Sequence, residues 1–536
     1  MNIAAIDWTI LGVGFGFFLG WAIYLNSKCR SVADYLVSGR KVRMWLGMGA
    51  GIGGEIGLVS IAAMCEQGYR NGFSFVVGNL ISLPITLILF GVYGFGIERF
   101  RATRCMSVPQ YIEMRFSRNL RVLVGMINCL AGVLQMAIFP IVGAIFVRRL
   151  IGAPDTMPML GFQVSTDWFL MFILLVCPLI FTTLGGYATL IVTNFFQGVL
   201  VMFTMTWLLV HVINQAAPPG GGFVAGLQAV WTGMEKNLGE ASVNPFAASP
   251  EAYGVQFFLF LNLMTILLQF SYGPYLQQYA SMDKPRTVSR SYFLSAIFGF
   301  GRSLIIFGLG VAALAAIGKV MPAGVSIPPN EWPSAATPYH LGMIGIPAVL
   351  MGLVLLALLF ADVAVTDKYI LSWSTSIVND CIHPFKSKPF PPEQHIRAVR
   401  VTVLVLCVIF FLFGMIYTPG MTIWSFMWLT ANLIGGSGIV VLLGMYWSGA
   451  KTLGAYACVV VCVLVPLADI IVRQVLARQG TTLPWTPEQT GLYTYVAGAL
   501  IMILLSLVSR EQSKYWDLGK AVREQNAAAD RAGEAK

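Results

Sequence analysis

Residues 356–380 read LALLFADVAVTDKYILSWSTSIVND. The first half of this stretch is apolar enough to enter a lipid bilayer, yet it carries Asp362, Asp367 and Lys368 on one predicted helix. A charge at the bilayer centre costs about 2.5–3.5 kcal/mol on insertion scales, so such side chains usually face a cavity or a partner. The stretch therefore predicts a membrane helix with a functional polar face.

The rest of the chain has the same apolar character. Of its 536 residues, 57% are hydrophobic and only 11% are charged, and the mean hydropathy is +0.75. Soluble domains are about 45–50% apolar and about 25% charged, so this composition excludes an ordinary soluble protein. Apolar runs of about 20 residues predict an all-α polytopic membrane protein with about 13 transmembrane helices.

The net charge of +10 reflects topology rather than an acidic partner. Most Lys and Arg residues fall in the odd-numbered predicted loops and in the C-terminal tail, which is the positive-inside pattern. We therefore expect a plasma (inner) membrane protein with an external N-terminus and a cytoplasmic C-terminus, and no nucleic-acid partner. The nine cysteines have no paired spacing that suggests a metal site or a disulfide framework.

The second predicted span contains an unusual run of glycines. Residues 47–57 read GMGAGIGGEIG, with Glu55 in the middle of the run. Glycine destabilises a helix interior and leaves backbone carbonyls free to bind other groups. The run predicts a weak point in this span.

Four segments carry a family resemblance. They are DYLVSGR at 34–40, SVPQYIEMRF at 107–116, GGYATLIVTNFFQ at 185–197, and TIWSFMWLTANLIGGSGIVVLLGMYWSGAKTLGAYA at 422–457. In this order they resemble the sodium:solute symporter family, which contains the bacterial sodium/proline and sodium/galactose transporters. The resemblance covers roughly residues 30–510. It implies a secondary transporter that moves a small polar solute by alternating access.

The resemblance also implies the leucine-transporter architecture of two inverted repeats of five helices. The repeats would occupy residues 45–214 and 253–447, separated by an extracellular loop at 215–252. The remaining segments would be an extra helix and cytoplasmic loop (1–44), two C-terminal helices (448–509), and a cytoplasmic tail disordered at its end (510–536). In such folds the first helix of each repeat is broken at mid-membrane, where solute and ions bind. The glycine run fits the first break and SYGPY at 271–275 fits the second.

A sodium site in this family uses backbone carbonyls of the first core helix and hydroxyls of the eighth. The resemblance assigns the carbonyls to Gly53 and Ile56. In the eighth core helix this chain reads Ala364, Val365, Thr366, Asp367 and Lys368, and the two sodium-binding hydroxyls are missing. Asn194 replaces an acidic residue of the family signature. The resemblance thus implies a degenerate sodium site.

Lys368 has three interpretations. Its ammonium group would replace the sodium ion, with Glu55 or Asp367 as counter-charge, and transport would then be independent of sodium and open to proton coupling. Alternatively, Lys368 extends toward water, or pairs with Asp367 or Asp362 to hold the bundle together. Sodium and the proton are therefore the candidate coupling ions.

The solute site is predicted from the resemblance and from buried polar side chains. The candidates are Ser60, Asn79, Ser82, Gly273, Tyr275 and Arg302. Arg302 would bind a carboxylated solute in a bidentate manner, or else neutralise a loop near its helix end. A transport-derived sensor or scaffold without transport activity is the alternative function. No enzyme motif is present, and we expect no cofactor and no metal beyond a possible sodium site; the sequence identifies no protein partner.

Overall fold

The computed structural model describes residues 3–26, 38–159, 161–247, 254–323, 325, 327–386, 390–417, 422–478, 481 and 483–534. Helices dominate these residues, which confirms the predicted all-α class. Within the described ranges, strands occur only as one antiparallel hairpin, β1 (Thr156–Met159) and β2 (Phe162–Ser165), in a connection between helices.

The helices of the N-terminal half follow the apolar runs of the sequence. They are α1 (Ala5–Asn26), α2 (Met44–Gly53), α3 (Leu58–Asn71), α4 (Ser74–Thr86), α5 (Ile97–Thr103), α6 (Val108–Arg115), α7 (Arg118–Ala137), α8 (Phe139–Ile151), α9 (Thr166–Ala216) and α10 (Phe223–Leu238). A π-helical turn, Leu87–Val92, extends α4. Within α9 the backbone kinks at Gly186, whose φ of 56° separates two spans.

The C-terminal half continues in the same way. Its helices are α11 (Val255–Ser271), α12 (Gly273–Ser281), α13 (Pro285–Ile317), α14 (Trp332–Ile344), α15 (Leu350–Ser376), α16 (Pro392–Ile416), α17 (Ile423–Tyr446), α18 (Thr452–Arg478), α19 (Pro487–Val508) and α20 (Leu518–Glu534). A π-helical turn, Ile377–Ile382, extends α15.

Two spans are broken, one at the glycine run of residues 47–57 and one at SYGPY, residues 271–275. The axes of α2 and α3 meet at 61°, and those of α11 and α12 at 55°. With each bent pair counted as one span, up to 13 helices of the described residues can cross a membrane. This agrees with the predicted number.

The charged helix α15 lies at the centre of the molecule. In its most apolar window 89% of the residues are buried, against 11% for α1. It packs along α9 and also touches α1, α2 and α12. The polar side chains of α15 are therefore surrounded by protein rather than by lipid.

Three connecting segments contain helices. The segment 215–252, predicted as an extracellular loop, contains α10. The segment that precedes α15 contains α14. The tail, expected to be disordered at its end, instead forms α20, because Leu518 is buried and Gln525 Nε2 donates to the Ala102 carbonyl at 2.7 Å. That expectation was wrong for the described part of the tail.

Candidate solute and ion site

The break between α2 and α3 brings backbone close to a neighbouring helix. A Cβ atom added to Gly53 would lie 2.1 Å from the carbonyl oxygen of Asn194 on α9, so only glycine fits there. After the break the amides of Glu55 and Ile56 donate to the carbonyls of Ile52 and Gly53, at 3.3 and 3.2 Å. The glycine run therefore allows both the bend between α2 and α3 and the close contact with α9.

Glu55 leaves this break and meets Lys368 of α15. Lys368 Nζ lies 2.8 Å from Glu55 Oε1. Glu55 Oε2 accepts hydrogen bonds from the hydroxyls of Tyr275 and Tyr369, at 3.1 and 3.2 Å. Both carboxylate oxygens are therefore hydrogen-bonded, as a charge at this depth requires. Of the two side chains, that of Lys368 is 2% exposed and that of Glu55 is 23% exposed.

Gln278 of α12 connects this ion pair to the two broken spans. Its Oε1 accepts a hydrogen bond from Lys368 Nζ at 3.1 Å, and its Nε2 donates to the carbonyl of Gly47 on α2 at 3.1 Å. The start of α2 and the end of α12 are also joined by a backbone bridge between Val42 and Met282. One amide side chain therefore contacts the first broken span, the second broken span and α15.

The other acidic groups of α15 do not pair with Lys368. Asp362 Oδ1 accepts from the hydroxyl of Thr366 at 3.2 Å. Both carboxylate oxygens of Asp367 are buried without a partner among the described residues. Asn194 Nδ2 donates to the carbonyl of Ala364 at 2.9 Å, which ties α9 to α15 beside the break. Glu55, and not Asp367 or Asp362, is thus the carboxylate in contact with the ammonium group.

A cavity of about 300 Å³ opens beside Glu55. It lies between α2, α4, α11, α12 and α13, and it includes four of the six predicted solute-binding residues. Those four are Asn79, Ser82, Tyr275 and Arg302. Ser60 and Gly273 do not line it. Pockets of this size suit a small organic solute.

Arg302 is a half-buried cation that lines this cavity. Its Nε atom is buried and has no hydrogen-bond partner in the part of the chain that the structure describes. The cavity carboxylate Glu55 is already engaged by Lys368, Tyr275 and Tyr369. The guanidinium group is therefore available to an anion, and Arg binds carboxylates with two parallel hydrogen bonds.

Sequence reasoning missed several lining residues. One side of the cavity is formed by Ser291, Ser295, Gly299 and Ser303 of α13, which recur every four residues. That spacing places them on one helix face, so the signal was present in the sequence. Tyr369 gave no such signal, because it is one aromatic residue among many in an apolar helix.

The described residues contain no group of three or more His, Cys, Asp or Glu side chains that could hold a metal ion. Oxygen atoms of amides, hydroxyls and carbonyls dominate the polar lining instead. Such atoms bind polar organic groups and hard monovalent or divalent cations.

Comparisons with known proteins agree with this geometry. The model of the sodium:solute symporter family matches residues 35–462. A sodium/pantothenate symporter of Haemophilus influenzae is 21% identical over 73% of this chain and 75% of its own length. A sodium/sialic acid symporter of Proteus mirabilis is 20% identical over 83% of this chain and 86% of its own. Another, of Aliivibrio fischeri, is 23% identical, but the match covers only 40% of this chain and 39% of that relative.

Solved structures share the fold. A substrate-bound, outward-open sodium-coupled sialic acid symporter superposes with a TM-score of 0.76 at 16% identity, covering 96% of this chain and all of that one. The transporter Mhp1 of the nucleobase-cation-symport-1 family gives 0.55 at 12% identity, with 92% and 99% covered. The chain belongs to the sodium:solute symporter family, and it is a secondary symporter with the leucine-transporter fold, not an enzyme.

Proposed function

We propose that the 300 Å³ cavity binds a small polar solute with one carboxylate group, which Arg302 holds. The observation that carries this proposal is the unpartnered Nε of Arg302. Because Glu55 and Lys368 neutralise each other, Arg302 leaves the cavity with one positive charge. An anion of charge −1 balances it.

The other lining residues indicate which functional groups the solute carries besides its carboxylate. Asn79, Ser82, Asn262 and Ser295 offer amide and hydroxyl groups to hydroxyl or amide groups of a ligand. Sialic acid and pantothenate, named for two of the relatives, are carboxylic acids that carry both kinds of group. A hydroxylated or amide-bearing monocarboxylate is therefore the favoured solute class.

We further propose that the Lys368 ammonium group takes the place of a sodium ion beside the broken span. Its contact with Glu55 at 2.8 Å and with Gln278 at 3.1 Å supports this role. A covalently attached cation cannot be released to the other side of the membrane. Transport would therefore not need sodium at this position, and the proton is the candidate coupling ion.

The orientation proposed from the charge bias is an external N-terminus and a cytoplasmic C-terminus in the inner membrane. We retain the division into repeats at 45–214 and 253–447, with the two broken spans as their first helices. The sensor alternative has no observation in its favour.

The test is uptake of a panel of monocarboxylates and their amides into proteoliposomes, with and without a sodium gradient and at two pH values. Arg302→Gln should abolish uptake of the preferred carboxylate. Leu304→Ala, two positions further along α13, is the control and should retain most of the uptake, because Leu304 is exposed and does not line the cavity. Lys368→Ala should also abolish uptake. Uptake that rises with a sodium gradient and is unaffected by Lys368→Ala would overturn the Lys368 proposal. Equal uptake of a carboxylate and its amide would overturn the role of Arg302.

A further inference from the structure

A second, much smaller cavity lies beside the second broken span, between α12, α15, α7 and the start of α6. Its volume is about 10 Å³, which is close to the room that a single water molecule or a bare monovalent cation needs. Its polar lining consists of six side chains that carry hydroxyl or amide groups. They are Ser107, Asn128, Gln277, Ser372, Thr375 and Ser376.

Two of these side chains have buried oxygens without partners. Asn128 is 4% exposed and Thr375 is 8% exposed. Asn128 Oδ1 and Thr375 Oγ1 form no hydrogen bond with any described residue. A buried polar atom without a partner costs about 1–3 kcal/mol, so two in one cavity indicate a ligand that satisfies both.

A buried carboxylate lies beside the cavity. Ser107, which lines it, donates from Oγ to Asp380 Oδ1 at 3.1 Å, and Asp380 is fully buried. Arg121 pairs with Asp380 at 3.1 Å and also with Glu113. The hydroxyl proton of Ser107 is therefore directed to Asp380, which leaves the lone pairs of its oxygen for a ligand. Asp380 Oδ2 has no hydrogen-bond partner among the described residues.

We propose that this cavity binds one dehydrated monovalent cation of the size of sodium or lithium. Hydroxyl and amide oxygens are the ligands that hard cations prefer, and Asp380, which is bonded to the lining residue Ser107, places a buried carboxylate beside the cavity. The small volume discriminates against potassium. The site is distinct from the Glu55–Lys368 pair, because Thr375 lies seven residues beyond Lys368, about 10 Å along the helix axis.

Gly273 and Trp373 complete the walls. A Cβ atom at Gly273 would lie 3.3 Å from Ser372 Oγ and from a ring carbon of Trp373, which is a close contact. The indole N–H of Trp373 has no partner among the described residues. It can only donate a hydrogen bond, which favours a water molecule, and the experiment must therefore separate a bound water from a bound cation.

The experiment measures the thermal unfolding of the purified full-length protein in lipid nanodiscs, without solute. Sodium, lithium, potassium or choline chloride is titrated at constant ionic strength. Ligand binding to the folded state raises the unfolding midpoint in a saturable way. Sodium and lithium should do so, and potassium and choline should not.

Thr375→Val keeps the side-chain shape and removes the oxygen, so it should weaken the sodium response at least tenfold. The same substitution at Thr430, which is equally buried on α17 and bonds only its own helix, is the matched control and should leave the response unchanged. If Thr375→Val does not fold, Asn128→Ala with direct binding of radioactive sodium replaces it, and the same loss is expected.

Three outcomes distinguish this proposal from the role of Lys368. No cation response in the unmodified protein means a bound water only and overturns this site, while leaving the Lys368 proposal intact. A sodium response that survives Thr375→Val and Asn128→Ala but changes in Lys368→Met puts the ion beside Glu55 and overturns both. A response lost in Thr375→Val and kept in Lys368→Met supports the second site.

Discussion

At the scale of single residues, the ion pair of Glu55 and Lys368 dominates the energetics of the site. Removing two charges from water is costly, and their attraction offsets this cost only when further hydrogen bonds satisfy the remaining atoms. Here Tyr275, Tyr369 and Gln278 supply those bonds. The two charges are therefore stable in this environment when they are paired, and either charge alone would destabilise the folded protein.

This leads to a prediction for a double-mutant cycle. Lys368→Met should lower the free energy of unfolding by about 3–5 kcal/mol, because it leaves a buried carboxylate without its cation. Glu55→Gln should also destabilise the protein. The double variant should lose less than the sum of the two, since it contains no unpaired charge. Thermal or chemical unfolding in detergent measures all four proteins.

The matched control for this cycle is Lys520→Met. Lys520 pairs with Glu524 on the surface, where the two side chains are 71% and 66% exposed, and such pairs contribute about 1 kcal/mol or less. If the losses of unfolding free energy in Lys368→Met and Glu55→Gln add up exactly in the double variant, the two groups do not interact.

At the scale of helices, the close approach of α2 and α9 fixes the position of the first break. The backbone of Gly53 touches the backbone of Asn194, and a Cβ atom at Gly198 would lie 2.7 Å from the Gly53 Cα. Two glycines facing each other allow this contact, as small residues do at other membrane helix interfaces. The contact holds Glu55 opposite Lys368.

Gly53→Ala should therefore separate α2 from α9 and reduce solute uptake strongly, with a loss of stability of about 1–3 kcal/mol from overpacking. Gly12→Ala is the matched control: a Cβ atom there meets nothing within 4 Å, and alanine is the better helix former. The measurements are solute uptake and the thermal unfolding midpoint of both variants. Normal uptake by Gly53→Ala would show that the contact is not required.

The start of α15 depends on the first helix of the chain. Asp7 is buried, and its Oδ1 accepts hydrogen bonds from the amides of Val349 and Gly352, at 2.8 and 2.9 Å. These amides would otherwise be unsatisfied at the helix start. The helix outside the two proposed repeats thus anchors the helix that carries Lys368.

Asp7→Ala should cost about 1–2 kcal/mol of stability, as the loss of a helix cap does. Thr9→Ala on the same helix should have little effect, because the Thr9 hydroxyl bonds only the Ala5 carbonyl at an exposed position. The unfolding midpoints of the two variants should differ clearly. Equal midpoints would contradict the capping role of Asp7.

At the scale of the whole molecule, the sequence predicts the fold well and the site partially. Span lengths and the glycine run are local properties, so the number of spans and the first break could be predicted from them. The second break was predicted only through the family resemblance. The contact of Lys368 with Gln278 and that of Tyr369 with Glu55 depend on how three helices pack, which one sequence does not reveal. The helix α14 was missed because its run is short and contains Pro338 and His340.

The C-terminal helix α20 was missed because its composition is polar. Its charged and alanine-rich residues are typical of a solvated tail. Among its described side chains, Leu518 at the start of the helix is the one that is deeply buried. It packs against α5 and α13, and Asn526 Oδ1 accepts from the amide of Arg286 at 3.1 Å. Tertiary contacts therefore stabilise a helix that would be marginal alone.

Gln525→Ala should loosen this helix by removing its bond to Ala102, at a cost of about 1 kcal/mol. Limited proteolysis of the tail is the sensitive measurement, because local opening exposes the cleavage sites. Glu524→Ala, at an exposed neighbouring position, should not change the cleavage rate. Equal rates for the two variants would contradict a docked tail.

The docked tail also has a consequence for how the protein is made. The hydrogen bond between Gln525 and Ala102 joins residues that are 423 positions apart. It cannot form until residue 525 has left the ribosome, when the early spans are already in the membrane. A shorter ribosome-bound intermediate therefore lacks this contact, and α20 completes a surface that α5 presents much earlier.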